Sequence, residues 1–287
     1  MSRVFEALQR ADPELTRSLE EGDKSSDGIS QFVATLSSEF AALDEALPFA
    51  IPESPEARLV SWNDPNSFAA ENLRILSARL RQAQQRRSLK KVLVTSAIQG
   101  DGKSAISANL AITLAAHGEK TLLIDGDLHQ PTLSKSFRVD GERGFSTWHN
   151  NPEAVTSLLY RAEGVPLWFL PAGMCHEQPL SLIQSQKTSE LLKQLAGWFS
   201  WIVIDSPPLL PLGDASIWAT MSDAVLLLAR QGVTPKKVFL KSVASIDRSK
   251  LFGIVMNDAN ANEERYYRAY YSGKNEEPTR HSAKYSK

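Results

Sequence analysis

A lysine and a serine set just behind two closely spaced glycines form a pattern able to hold a polyphosphate. Residues 97–104 read Ala97-Ile98-Gln99-Gly100-Asp101-Gly102-Lys103-Ser104. Gly100 and Gly102 let the backbone curl so that successive N–H groups point at phosphate oxygens. Lys103 supplies a point charge for β and γ phosphates, and the Ser104 hydroxyl stands where a magnesium ligand is needed. The run from Gln99, Gly100, Asp101, Gly102, Lys103 and Ser104 to Ala105 is the expected binding segment for a nucleoside triphosphate with magnesium. The strict pattern has Gly where Ala97 stands, a common relaxation.

Two further segments end in carboxylates. Leu122-Leu123-Ile124-Asp125-Gly126-Asp127 puts two aspartates two residues apart, hence on one side of an extended chain, and Trp201-Ile202-Val203-Ile204-Asp205 ends in a third. Singly, such an aspartate is an ordinary helix cap. Three beside a phosphate loop have a better partner in a cation, because an unpaired buried carboxylate is costly.

These side chains need a scaffold that gathers strand tips. Apolar runs without polar alternation occur at 91–96, 121–125, 167–171, 201–205, 224–229 and 251–256, separated by helical stretches that include 103–116 and 188–199. Such runs predict a doubly wound α/β domain, with a mostly parallel sheet and helices on both faces, over residues 58–262. Right-handed crossovers then bring every strand's C-terminal end to one edge, where ligands bind. Residues 1–57 read as a short N-terminal helix (2–11) followed by a flexible tether with a weakly periodic stretch at 32–47; both a mobile arm and a docking element fit. Residues 263–287 read as a flexible tail.

The segments 96–104, Asp125-Gly126-Asp127, Asp205-Ser206-Pro207-Pro208 and a tyrosine-bearing C-terminus together resemble the bacterial protein-tyrosine kinases (BY-kinases) that accompany exopolysaccharide and capsule synthesis and export. The likeness runs from about residue 58 to 271 and takes in Leu170-Pro171-Ala172-Gly173 and Gly213-Asp214-Ala215. The opening residues are similar to stand-alone members of that family. The resemblance implies a P-loop fold with ATP and Mg2+ as cofactors. It gives Lys103, Asp125 and Asp127 catalytic roles and Ser104, Asp127 and Asp205 metal contacts, with Asp125 nearest the accepting hydroxyl. Asn257 is implied to contact adenine, although a turn role in Asn257-Asp258-Ala259-Asn260 fits equally. The resemblance further implies autophosphorylation of tail tyrosines in trans and a membrane-bound polysaccharide co-polymerase as activator. A homo-oligomer through Glu71 and Arg74 is also implied. The protein would then be cytoplasmic and peripheral to the membrane through that partner.

Tyr266, Tyr267, Tyr270, Tyr271 and Tyr285 are five of the six tyrosines in the chain. They are the expected phosphoacceptors; a terminal helix packing Tyr266 and Tyr270 at i,i+4 spacing is the competing reading. Two positions depart from the family pattern: His129 stands for an arginine after Asp127, and Ser77 for the second arginine of the oligomer helix, where ordinary i,i+3 pairing of Glu71 with Arg74 is the simpler account. Two rival functions remain, a nucleotide-dependent switch of the same export machinery and a positioning ATPase of the partitioning kind. The latter family carries an extra lysine where Ile98 stands.

Composition excludes several other classes. With 287 residues and a formal net charge of -1, nothing in bulk electrostatics favours nucleic acid. One cysteine, Cys175, precludes an internal disulfide framework or a multi-thiolate metal cluster. No window approaches the 18 apolar residues of a membrane span.

Overall fold

The computed structural model describes residue 43 and residues 46–150, 154–210 and 213–259. The expected 2–11 helix, most of the 32–47 stretch and all five tail tyrosines lie outside the described residues.

In chain order the elements are β1 (Leu47–Phe49), α1 (Val60–Asn63), α2 (Phe68–Gln84), β2 (Lys91–Ser96), α3 (Lys103–Ala116), β3 (Thr121–Asp125), α4 (Leu133–Phe137) and α5 (Phe145–Asn150). There follow β4 (Tyr160–Ala162), β5 (Leu167–Leu170), α6 (Pro179–Gln184), α7 (Gln186–Trp198), β6 (Trp201–Asp205), α8 (Asp214–Met221), β7 (Ala224–Arg230), α9 (Lys236–Ser245) and β8 (Leu251–Asn257). The strands form one sheet in the order β1-β4-β5-β3-β6-β2-β7-β8. From β5 to β8 all neighbours are parallel; β4 runs antiparallel to β5, and β1 parallel to β4. This is the doubly wound, mostly parallel α/β architecture read from the strand pattern.

Both faces are covered because the central strands carry apolar side chains in both directions. Val92, Val94, Leu123, Val203, Leu226 and Leu228 pack with α2 and α3 on one face. Leu93, Leu122, Ile204, Val225 and Leu227 pack with α5 to α8 on the other, with Phe239 and Val243 of α9 at its margin. Helix α3 is buried nearly all round. Its Asn109 therefore spends its amide on backbone, accepting from Ser61 N at 2.8 Å and donating to Arg58 O at 2.8 Å. Those bonds anchor the chain entering the domain onto the helix that starts at the phosphate loop.

One boundary differs from expectation. The segment assigned to the tether contributes β1 and a 3-10 turn at Pro55–Ala57, so packed structure begins before residue 58. Phe49 is buried, with ring centroids 5.3 Å from Phe137 and 6.4 Å from Tyr160. A three-residue strand is too short to show a period, and the prolines around it mimic linker composition.

Among the described residues, no helix is long and apolar enough to cross a membrane.

Phe49→Ala should lower unfolding stability by about 3 kcal/mol, the usual cost of emptying a buried aromatic site. Urea denaturation of the full chain measures it. A change within about 0.5 kcal/mol, typical of surface positions, would return this segment to a tether.

Candidate nucleotide and metal site

The phosphate loop joins β2 to α3. Gly100 and Gly102 have φ of 87° and 94°, in the left-handed region that suits glycine. A Cβ on Gly102 would lie 2.2 Å from Asn257 Nδ2, so this position also needs glycine for space. At Gly100 a Cβ would meet nothing within 4 Å, so there the positive φ alone calls for glycine. Lys103 is buried although charged, and sits at the first turn of α3. Asp101 is buried and fully engaged. It accepts from Thr234 Oγ1 at 2.7 Å and from Ile98 N at 3.3 Å, while its carbonyl accepts from Asn257 Nδ2 at 2.9 Å.

Sheet register brings the carboxylates together. Asp125 and Asp205 are paired residues on adjacent parallel strands β3 and β6, so both point to the α3 side. Both are buried. Asp125 Oδ2 accepts from Leu133 N at 3.2 Å, and Asp205 Oδ1 lies 3.0 Å from the Ser107 hydroxyl. The other oxygen of each, Asp125 Oδ1 and Asp205 Oδ2, is buried without a hydrogen-bond partner. Burial raises the Asp125 pKa well above the carboxylate range, and the neighbouring Asp205 charge adds to it. Burial also pushes Asp205 up to about 6, against the Ser104 hydroxyl, the Lys103 ammonium and Ser107, which favour its charged form.

Two orphaned carboxylate oxygens beside a lysine and a serine hydroxyl fit a hard divalent cation. Magnesium keeps several waters and takes only one or two carboxylates besides phosphate oxygens. Among the described residues, no group of three His, Cys, Asp or Glu side chains is placed to hold a metal ion. The three-aspartate convergence expected from the sequence is thus a buried pair, Asp125 and Asp205, with Asp127 near enough to raise both. Asp127 Oδ1 itself accepts from Gln130 N at 3.0 Å.

Other expected residues fall as follows. Gln99 meets Gln130, linking the phosphate loop to the Asp127 turn. Ser104 and Ala105 lie in the first turn of α3. Asn257 holds the Asp101 carbonyl and Asp258 N, so its amide latches β8 to the phosphate loop here. Glu71 and Arg74 pair with each other, and Arg74 also reaches Pro65 O at 2.5 Å. Ser77 is buried on the inner side of α2 with its hydroxyl unpartnered, so an arginine there would point into the core. His129 meets the buried Asp214 of α8 at 2.7 Å.

Sequence reasoning missed four supporting residues. Ser107 braces Asp205, and Thr234 braces Asp101. Asp214 receives His129. Trp218 Nε1 donates to Gly126 O at 3.1 Å, while Gly126 N donates to Asp205 O at 2.9 Å. A Cβ on Gly126 would come within 2.6 Å of that carbonyl, so the Asp125-Gly126-Asp127 turn depends on glycine to close against β6. Sequence signals existed only for Asp214, within the family-like segment Gly213-Asp214-Ala215, and for Ser107, at i,i+4 spacing from Lys103; the contacts themselves are otherwise long-range.

With this geometry in view, the chain compares as follows with known proteins. A family model described as ParA, NUBPL iron-transfer P-loop NTPase, matches residues 88–259. Tyrosine-protein kinase YwqD of Bacillus subtilis (strain 168) is 28% identical over 221 residues, 76% of this chain and 93% of that protein. Succinoglycan biosynthesis transport protein ExoP of Rhizobium meliloti (strain 1021) is 28% identical over 225 residues, which make up 77% of this chain but 28% of that protein. The crystal structure of the VpsO kinase domain is 31% identical with a TM-score of 0.59, and the match covers 68% of this chain and 100% of that one.

The buried pair has a pH signature. Asp205 has a folded pKa near 6, above its unfolded value, so its protonated form is the one folding favours. Its contribution to stability is therefore full below about pH 4 and lost as pH rises through about 6. Asp205→Asn should stabilise the nucleotide-free chain by up to about 3 kcal/mol at pH 7, and by nothing near pH 4. Chemical denaturation of both proteins across that range measures it; equal stabilities at pH 7 would show that the carboxylate is not strained.

Proposed function

From the premise that this chain belongs to the ParA-type P-loop NTPases, and within them to the bacterial tyrosine kinases, we propose that it is an ATP-dependent protein-tyrosine autokinase serving exopolysaccharide or capsule production. The observation that carries the reading is the register-locked pair of Asp125 and Asp205, each with an orphaned oxygen, against Lys103 and Ser104. The concentration of tyrosines at 266, 267, 270, 271 and 285 supplies acceptors. The names of YwqD and ExoP support kinase activity and a polysaccharide setting respectively. Iron transfer, named in the family description, has little to work with: cluster ligation uses several thiolates, and Cys175 is the one cysteine.

In this reading the backbone N–H groups of 99–104 and the α3 N-terminus hold the phosphates, and Lys103 neutralises charge shared between β and γ groups. Magnesium held by Ser104, Asp205 and Asp127 would supply Lewis-acid neutralisation of the transferring group. The tyrosine oxygen bonds to the γ phosphorus and the bond to the β–γ bridging oxygen breaks. The nucleoside diphosphate leaves with the electron pair. Asp125 receives the phenolic proton, a role its raised proton affinity suits. Orientation and preorganised charge carry most of the rate enhancement. Acceptance occurs in trans between subunits of a homo-oligomer, with contacts through Glu71 and Arg74. A membrane-bound polysaccharide co-polymerase is the activator that brings the chain to the inner face of the membrane.

A nucleotide-dependent switch is the second reading, favoured by His129. At position 129 the family's pattern places an arginine, and here the imidazole found instead is committed to Asp214. A positioning ATPase is disfavoured by Ile98, which occupies the place of that group's cross-dimer lysine.

Purified chain incubated with ATP and magnesium should acquire phosphotyrosine at residues 266–271, mapped by mass spectrometry. Lys103→Met and Asp125→Asn should each reduce it by at least about 100-fold. Tight nucleotide binding with no phosphotyrosine, even beside its activator, would instead establish the switch.

A further inference from the structure

β8 closes one edge of the sheet, and one of its faces is bare. Ile254 pairs in register with Leu227 and Met256 with Ala229, so both point to the side on which α9 packs. Yet Ile254 and Met256 are each 52% exposed. Leu240 on α9 and Val233 at the head of that helix are exposed as well. Between them these residues outline the place a further helix would occupy.

Chain connectivity points to the segment that follows β8. From β7 the chain crosses on the α9 side to reach β8 as the next strand outward. A helix following β8 and staying on the α9 side would meet Ile254 and Met256 first. The chain turns immediately after β8. Asp258 has φ of 53°, a left-handed conformation, and its carboxylate is held by Arg230 at 2.6 Å.

The sequence beyond carries complete helix signals. Asn262 is a good N-cap, Glu263 and Glu264 fill the first turn, and Gly273 is a C-terminal stop. At 100° per residue, Tyr266, Tyr267, Tyr270 and Tyr271 fall within an arc of about 140°, with Arg265, Arg268, Ala269 and Ser272 opposite. At that spacing Glu263 falls on the tyrosine side of the first turn, with Glu264 beside it in sequence, and α9 exposes Lys236, Lys237 and Lys241. Apolar face and charge are both complementary. A helix this short needs such a surface to be stable.

We propose that the bare face of β8 at Ile254 and Met256 takes this chain's own residues 263–272, folded as an amphipathic helix with its tyrosines inward. Docked, those hydroxyls are withheld from any catalytic site. Docking and phosphate acceptance therefore compete for one segment, a consequence that rests on the acceptor role given above.

Hydrogen exchange on the full chain without nucleotide tests it. Amides of 264–272 should exchange at least about tenfold more slowly than in a free peptide of that sequence. Ile254→Glu with Met256→Glu should abolish the protection while leaving β2 and α3 protected. Tyr266→Ser with Tyr270→Ser, which cannot disturb the domain core, should do the same. Trypsin should cut after Arg265 and Arg268 faster in both variants. Free-peptide exchange rates in the parent chain, protection indifferent to these substitutions, or protection that appears only as protein concentration rises would each overturn the proposal; the last would assign the face to a second copy's segment. None of these readouts needs ATP, so a chain that never transfers phosphate gives the same pattern and the two readings fail separately.

Discussion

Two carboxyl groups at the tips of adjacent parallel strands cannot avoid each other. The β3–β6 register sets Asp125 beside Asp205 on the same face, under the first turn of α3 and away from water. Burial is the main reason both groups hold their protons more tightly; the Asp205 charge adds to it at Asp125, and the Asp127 charge adds to it at both. The surroundings relieve this only in part, through Leu133 N, Ser107, Ser104 and Lys103. What remains is a pair of buried carboxylate oxygens without hydrogen-bond partners, set next to the phosphate loop.

Much of the nearby structure makes sense as bracing for that arrangement. Gly126 lets the chain turn against the Asp205 carbonyl, and Trp218 holds the turn from below. On the other side Thr234 and Asn257 hold Asp101, one by its carboxylate and one by its carbonyl. The phosphate loop is therefore tied to the end of β8 and to the turn after β7, while the Asp125-Gly126-Asp127 segment is tied to α8. Packed elements on both sides thus hold the carboxylate pair in place.

The departures from the family pattern also have local physical accounts. At Ser77 the inner side of α2 faces the core, so a small residue is what the packing accepts. At His129 the imidazole finds a buried carboxylate in Asp214, which ties the turn after β3 to the start of α8. The far edge of the sheet shows a similar economy: β1 pairs for three residues and buries Phe49 where composition alone suggested a linker.

Local pattern in the sequence was enough for the phosphate loop, the strand-end aspartates and the parallel sheet. The reason is that glycine spacing, apolar runs and helix starts act over a few residues and are written contiguously. It was not enough for which aspartates meet, because Asp125 and Asp205 are brought together by strand order rather than by spacing. The same holds for Thr234, Trp218 and Asp214, whose partners lie far away in the chain. The engagement of Asn257 with the phosphate loop, the burial of Ser77 and the edge strand at 47–49 were likewise decided by packing. Chemistry-bearing residue types were local information; their convergence is a property of the tertiary fold.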